Sequence, residues 1–484
     1  MTKRVIVAGA GPVGLTLAAE LRLAGAEVLV LERLAEPTGQ SRALGMHART
    51  MEVLDQRGLL DRLEGRRGEW GHFGAIPLDF GVLDSHVAGQ MMIPQAKTER
   101  ALGAWAAELG VPIRRGHEVV GLAQDADGVQ VEVEGPEGRY RLRAAYLVGC
   151  DGGRSTVRRL AGFDFPGTEA TTEYLMADVE GIDLPFRFSD VRERGGISVI
   201  PLGDGVTRVL PVEFGAPPRR RTEPPAFQEV VERVARITGD DISGGRPRWV
   251  TSFGDATRQV SEYRRGRVLL AGDAAHIHLP AGGQGLNLGV QDAMNLGWKL
   301  GLVATGRAGE ELLDTYHAER HPVGADVLFN TRAQAPLLNG GLDLEPLRAV
   351  LREIFRFDEV NRHLTNMISA LDLRYEVGAG SHPLLGRRMP RRALSTSDGE
   401  TDTFRLLHVA RGVLLDLSDD AELGAVAEGW ADRVDVVRAS APELPGVDAV
   451  LVRPDGYVAW AAPDAEGERL DVALGRWFGP PRTR

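Results

Sequence analysis

Residues 4–33 read RVIVAGAGPVGLTLAAELRLAGAEVLVLER. Val5–Val7 are a short apolar run without polar alternation, the pattern of a strand buried on both faces. Gly9, Gly11 and Gly14 follow at once as G-x-G-x-x-G. From Gly14 to Leu23 apolar residues recur at helical spacing, and Gly25 is a helix stop. Ala26–Leu31 supply a second strand. Strand, glycine turn, helix and strand within about 30 residues make a parallel crossover. Gly9 allows the tight turn, Gly11 lets backbone approach a pyrophosphate, and Gly14 lets helix and strand pack closely. Pro12 and Val13 open the helix, whose N-terminus favours an anion. Glu32 lies 18 residues after Gly14. Its carboxylate, with Arg33 beside it, is placed for the ribose of an adenosine. These residues predict dinucleotide binding and leave NAD and FAD equally open.

Composition narrows the class. The chain has 484 residues, enough for about three domains of roughly 150 residues. A net charge of −11 argues against nucleic-acid or anionic-membrane partners. The single cysteine, Cys150, excludes an internal disulfide and a cysteine metal cluster and fits a reducing, cytoplasmic setting. No signal peptide and no membrane span are expected, because the first strand begins almost at Met1 and no 18-residue apolar run occurs.

Two further strand-to-turn stretches recur. Residues 141–155, RLRAAYLVGCDGGRS, end a strand on Asp151-Gly152, with Arg154 and then Arg158 one helical turn on. Residues 266–276, GRVLLAGDAAH, end another on Gly272-Asp273. The loop Pro280, Ala281, Gly282, Gly283, Gln284, Gly285, Leu286, Asn287 then leads into a long amphipathic helix. A second glycine loop is what a cofactor longer than one Rossmann turn requires. Asp273 can accept bonds from ribityl hydroxyls. Backbone N–H groups of Gly283–Asn287 can meet the flavin carbonyls, with Pro280, Gly282 and Gly283 beside the isoalloxazine.

Between about 171 and 264 apolar and polar residues alternate, as in half-exposed antiparallel strands, and residues 73–98 are expected to join them. Helical spacing dominates from 286 to 380. Beyond Pro390 alternation returns, with Pro454-Asp455-Gly456 as a hairpin turn. The predicted class is α/β. Residues 1–72, 99–175 and 265–330 form a discontinuous Rossmann-type FAD-binding domain. Residues 73–98 and 176–264 form an antiparallel β-sheet substrate domain, 331–390 a helical connection, and 391–484 a C-terminal domain.

The G-x-G-x-x-G, Asp151-Gly152 and Gly272-Asp273 motifs stand in the order seen in single-component FAD-dependent aromatic hydroxylases, the p-hydroxybenzoate hydroxylase-like group. SRALGMHARTMEVLDQRG (41–58), YLVGCDGGRSTVR (146–158), AGFDFPGT (161–168), EYRRGRVLLAGDAAHIHLPAGGQGLN (262–287) and QDAMNLGWKL (291–300) resemble the aromatic polyketide hydroxylases of angucycline and anthracycline pathways. The resemblance covers nearly the whole chain. It implies that Arg42 lies near the FAD pyrophosphate and that Gln95 contacts the adenosine–ribose side. It implies a thioredoxin-like C-terminal domain, here without CxxC, for stabilisation or homodimer contact.

The same resemblance implies an NADPH-consuming monooxygenase in antibiotic biosynthesis. NADPH reduces FAD, O2 adds at flavin C4a to give a hydroperoxide, and an electron-rich carbon of a polycyclic phenol or quinone takes the distal oxygen. Baeyer–Villiger insertion, antibiotic inactivation of the rifampicin monooxygenase kind, and an FAD reductase that avoids O2 are the alternatives. Phe73, Phe80, Met91 and Met92 are candidate apolar lining for a large substrate, each also suited to plain core. No catalytic base stands out. No spacing of His and carboxylates suggests a metal. His276 and His278 read as loop packing near the flavin, and His47 and His72 show no evident partners.

Overall fold

The computed structural model describes residues 3–219, 221–418 and 421–482. Its central sheet has six strands, in the spatial order Arg264–Arg265, Val268–Leu270, Tyr146–Gly149, Val5–Ala8, Val28–Glu32 and Ile113–Arg115. All neighbours are parallel except the two-residue edge strand. Val5–Ala8, Tyr146–Gly149 and Val268–Leu270 are buried at every position. That burial explains why they read as unbroken apolar runs. Register pairs Ala8 with Gly149 and Gly149 with Leu270. The three motif turns that follow these strands therefore share the carboxyl edge of one sheet, where parallel α/β folds bind ligands.

The glycine-turn helix Pro12–Leu23 packs along the helix Gln284–Ala304. Small residues make this approach close: a Cβ on Gly297 would lie 2.4 Å from that of Glu20, and one on Gly301 2.3 Å from that of Ala24. The second helix differs from expectation. Its pattern is amphipathic, yet nearly every residue is buried, including Gln291, Asp292, Asn295 and Lys299. Its polar face meets buried ion pairs instead of water, which periodicity alone cannot show.

The antiparallel region forms a five-stranded sheet in the order Arg187–Val191, Gly195–Gly203, Val206–Glu213, Glu173–Glu180 and Arg246–Gly254. The helix Phe227–Thr238 covers one face, setting Val230, Val231 and Val234 against Leu175, Ala177, Val199 and Val209. The other face carries Tyr174, Leu210, Val212, Phe214 and Phe253 against Leu279 and Ala281 of the Pro/Gly loop. The sheet thus roofs that loop.

Residues 73–98 do not join this sheet. Gln90–Met92 pairs with Gly45–His47 and Arg66–Gly68, and Trp70–Phe73 forms a hairpin with Ile76–Asp79. Ile76, Leu78, Phe80, Met91 and Ile93 are buried in the same core as the glycine-turn unit. Alternation identified strands there but carried no information on their partners. The five-stranded sheet also begins at Glu173, slightly before the expected 176.

The C-terminal module is a mixed four-stranded sheet, ordered Val434–Arg438, Gly412–Asp416, Ala449–Val452 and Val458–Ala462. Only the first pair is parallel. The expected hairpin turns at Pro454–Gly456, closed by Arg453 N–H on the Tyr457 carbonyl at 2.8 Å. Buried charge docks the module. Arg453 meets Glu319 at 2.6 Å and Asp455 at 2.6 Å, while Lys299 meets Glu319 at 2.8 Å. Arg57 pairs with Glu20 at 2.6 Å and donates to the Leu407 and Pro454 carbonyls. Trp477 and Phe478 pack on Trp298. No helix of the described residues is long and apolar enough to cross a membrane.

Candidate active site

The first glycine loop divides its work as its spacing requires. Gly9 has φ +106°, and a Cβ there would sit 2.4 Å from the Cys150 carbonyl oxygen. A Cβ on Gly14 would lie 2.0 Å from the Gly9 carbonyl oxygen. Gly11 differs: its φ is −76°, and a Cβ would meet nothing within 4 Å. That open space lies in front of a helix start that no side chain caps, the geometry of an anion cradle. Glu32 accepts from Ala10 N–H at 2.7 Å and Leu34 N–H at 2.9 Å. Its carboxylate is fixed to the loop with lone pairs left over. Arg33 and Arg42 are exposed.

Gln95 accepts from Ala43 N–H at 3.2 Å and donates to Glu99 at 2.7 Å, holding the segment that presents Arg42. Asp151 is spent locally. Its oxygens accept from Ser155 Oγ, Thr156 N–H and Val157 N–H, capping the helix Thr156–Leu160. Arg158 donates to the Gly153 and Ala274 carbonyls at 2.8 and 2.9 Å, tying the second motif to the third. Arg154 is exposed.

Asp273 is exposed between buried neighbours and has no hydrogen-bond partner among the described residues. Gly282 and Gly283, at φ +68° and +67°, turn the loop into the helix Gln284–Ala304, again without a side-chain cap. Pro280 is exposed, and Gly285 and Leu286 lie in the first turn. The Asn287 side chain accepts from His47 N–H at 2.8 Å and donates to the Gly283 carbonyl at 2.8 Å, so it braces the loop. Val13 packs the first glycine loop against the Gly272-Asp273 turn and the helix Gln284–Ala304. A Cβ on Gly272 would lie 2.9 Å from its Cγ2, and one on Gly289 2.7 Å.

These residues fit FAD. An open cradle at one uncapped helix start, a second uncapped start, and a free carboxylate between them match its pyrophosphate, isoalloxazine and ribityl chain in order. Among the described residues no cluster of three or more His, Cys, Asp or Glu suits a metal.

The candidate lining residues separate. Phe80 and Met91 are 1% and 2% exposed and belong to the core. Met92 faces outward at 40%. Phe73 is half-buried, edge-on to Phe355 at 5.9 Å. Sequence reasoning missed two histidines. His47 approaches the Gly282–Gly283 turn, its Nε2 3.8 Å from where a Gly283 Cβ would stand. His47 Nδ1 bonds the Ile368 carbonyl at 3.0 Å, and the Gly282 backbone bonds the ring as well, so this imidazole is tied to the loop. His72 Nδ1 accepts from Ala75 N–H at 3.3 Å, so its Nε2 carries the proton. Burial pushes both imidazoles down to about 4, and for His72 the neighbouring His47 adds to it. Phe188 of the roof sheet lies 4.5 Å from the His72 ring and 4.5 Å from Trp70. Only the signal of two unpaired histidines was available in sequence, because their partners lie far along the chain. His276 is loop packing in part only, since it is bonded to the buried Asp292 at 2.7 Å. His278 bonds the Leu279 carbonyl.

A model of the FAD binding domain matches residues 2–331, and one of the aromatic-ring hydroxylase C-terminal region matches 382–481. The chain is 49% identical to the 12-dehydrotetracycline 5-monooxygenase/anhydrotetracycline 6-monooxygenase of Streptomyces rimosus, over 99% of each chain. It is 47% identical to a rifampicin monooxygenase of Streptomyces venezuelae, over 98% of each. The crystal structure of CabE, an aromatic hydroxylase from angucycline biosynthesis, superposes with a TM-score of 0.96 at 55% identity over the full length of both chains. The protein belongs to the FAD-dependent aromatic-ring hydroxylases and is an aromatic monooxygenase.

Proposed function

We propose that the substrate is an uncharged polycyclic phenol or quinone of the angucycline type, hydroxylated on an aromatic carbon. The observation that carries this reading is the pairing of an apolar, aromatic roof with a floor of two glycines and two neutral imidazoles. Bound FAD, reduced by NADPH, supplies the activation of O2 for transfer of one oxygen atom to the ring. The chain's own residues do the rest. Gly11 and the helix start at Pro12 bind the pyrophosphate, with Arg42 neutralising it and Glu32 on the ribose side. Asp273 takes the ribityl hydroxyls. The N–H groups of Gln284–Leu286 face the flavin carbonyls, where a positive helix end favours the reduced anion.

On the substrate side the roof residues Leu210, Phe214 and Phe253 exclude water, which protects reactive oxygen from wasteful release as H2O2. His72 Nε2–H is a donor to a substrate carbonyl, and His47 holds the loop beside it. The C-terminal module is read as a thioredoxin-like scaffold without thiol chemistry, held by the buried charges at Glu319 and Arg57. The test is paired NADPH and O2 consumption by the yellow holoenzyme with a tetracyclic angucyclinone panel, with product mass recorded. A product heavier by one oxygen, with stimulated consumption, supports the reading. Stimulated NADPH loss without O2 uptake refutes it.

A further inference from the structure

The groups that orient Asp273 lie beneath it. Gly272, at φ +63°, donates its N–H to Asp292 Oδ2 at 3.2 Å. The same oxygen bonds His276 Nε2 at 2.7 Å, and Asp292 Oδ1 accepts from Arg320 Nε at 2.8 Å. Asp292, His276 and Arg320 are all 0% exposed. Burial opposes charge on Asp292, but Arg320 and His276 outweigh it and hold the carboxyl below its usual range. Arg320 reaches on, donating to the Leu288 carbonyl at 3.2 Å and to the Tyr375 hydroxyl at 2.9 Å. The Tyr375 ring lies 4.4 Å from that of Tyr457 in the C-terminal module, and Arg453 stands 5.5 Å over it. A continuous chain of contacts therefore runs from the third motif turn to the docked module.

We propose that Asp292, Arg320 and Tyr375 are positioning residues for the Asp273 turn, through which docking of the C-terminal module sets how tightly FAD is retained. The proposal rests on Asp273 meeting the ribityl chain. A left-handed glycine has no side chain to hold it, so the direction of the Gly272 peptide, and with it Asp273, is set by the Asp292 bond. An unpaired Arg320 would pull that carboxylate elsewhere, and the Tyr375 hydroxyl supplies its remaining acceptor.

The test compares full-length apoprotein affinities for FAD and for ADP, since ADP uses the first glycine loop alone. Asp273→Ala and Asp292→Asn are expected to weaken FAD about 30-fold, and Tyr375→Phe about fivefold, with ADP affinity unchanged within about twofold. Equal weakening of ADP and FAD would mean general loosening and overturn the proposal. So would FAD affinities of Asp292→Asn and Tyr375→Phe within about twofold of the parent while Asp273→Ala is weakened, a result that leaves the ribityl reading intact. No effect of Asp273→Ala would remove that reading and the proposal with it. If Asp292→Asn does not fold, Tyr375→Phe decides alone, because it removes one hydroxyl and leaves the buried charges paired.

Discussion

Replacing Gly11 and Gly14 by alanine separates cofactor geometry from fold geometry within one loop. At Gly11 the backbone sits at φ −76° and ψ −177°, which alanine adopts without strain, and the new Cβ meets nothing within 4 Å. The entropy of the unfolded chain falls, worth about 0.4–1 kcal/mol in favour of the fold. Gly11 is also the helix N-cap, where alanine is poorer by about the same amount. The two effects offset, so the apoprotein Tm should stay within about 2 °C. The methyl group would occupy the space through which a pyrophosphate approaches. Overpacking of that kind costs about 2–3 kcal/mol, or roughly 30- to 150-fold in Kd for FAD.

Gly14 inverts this pattern. Its Cβ would stand 2.0 Å from the Gly9 carbonyl oxygen, a backbone atom with nowhere to move. Gly14→Ala should lower the apoprotein Tm, with a cost of about 3 kcal/mol or more. Scanning calorimetry of apoprotein and fluorescence titration with FAD measure the two quantities independently. Gly11→Ala binding FAD like the parent would refute the cradle, and Gly14→Ala with an unchanged Tm would refute the packing argument.

Other perturbations test the remaining joints. Gly289→Ala puts a Cβ 2.7 Å from Val13 Cγ2 and 3.1 Å from the Gly272 Cα; it should push the helix away from the first glycine loop and the Gly272-Asp273 turn and weaken FAD about tenfold, read by the same titration. Arg453→Met leaves Glu319 and Asp455 buried with one cation fewer, at a cost of about 3–5 kcal/mol; limited proteolysis should then release the C-terminal module, and an unchanged urea midpoint would contradict a docking role. His47 and His72 stay neutral in the fold down to about pH 4, whereas the unfolded chain takes up their protons below about 6.5. Their contribution is therefore complete above pH 6.5 and lost as pH falls towards 4, by about 3 kcal/mol per imidazole at most. Urea midpoints across this window should flatten in the His47→Gln, His72→Gln double variant, and an unflattened slope would place the acid sensitivity elsewhere.

What the sequence disclosed was local. The three strand-to-turn motifs are covalently contiguous, and their apolar runs end at the residues where the turns occur, so their place at one sheet edge could be read directly. The jobs of Gly9 and Gly14 could be read for the same reason. Pairings between distant segments could not. Gln90–Met92 alternates like a strand of the roof, yet its partners are Gly45–His47 and Arg66–Gly68. Phe80 and Met91 are as apolar as any lining residue, and only packing shows that both lie in the core. The polar face of Gln284–Ala304 is buried, because Lys299 pairs with Glu319 and Asp292 with Arg320 across helices that sequence cannot align. His47 bonds the carbonyl of Ile368, 321 residues away in the chain.

Charge placement beside the roof and the Pro/Gly loop argues for the kind of ring system the site takes. A small aromatic acid would need a cation to meet its carboxylate, since an unpaired buried charge is costly. The roof strand Val206–Glu213 carries a buried arginine, Arg208, but that guanidinium is committed. It pairs with Asp178 at 2.7 Å and also donates to the Ser41 and Arg42 carbonyls, and Asp178 takes a further bond from Trp249 at 2.7 Å. The imidazoles beside the Gly282–Gly283 loop are neutral at working pH. What the roof presents instead is flat and apolar. Leu210, Phe214 and Phe253 keep exposed apolar surface there, with Phe253 backed by the buried, stacked ring of Tyr174 at 5.0 Å. Such a surface gains from a large uncharged aromatic face, at about 25 cal/mol per Å² buried, and gains nothing from a carboxylate. Uncharged tetracyclic phenols should therefore stimulate NADPH-dependent O2 uptake, while monocyclic hydroxybenzoates at the same concentration should leave it at the substrate-free rate. Equal stimulation by a hydroxybenzoate would show that a cation meets its carboxylate and would overturn the reading of an uncharged substrate.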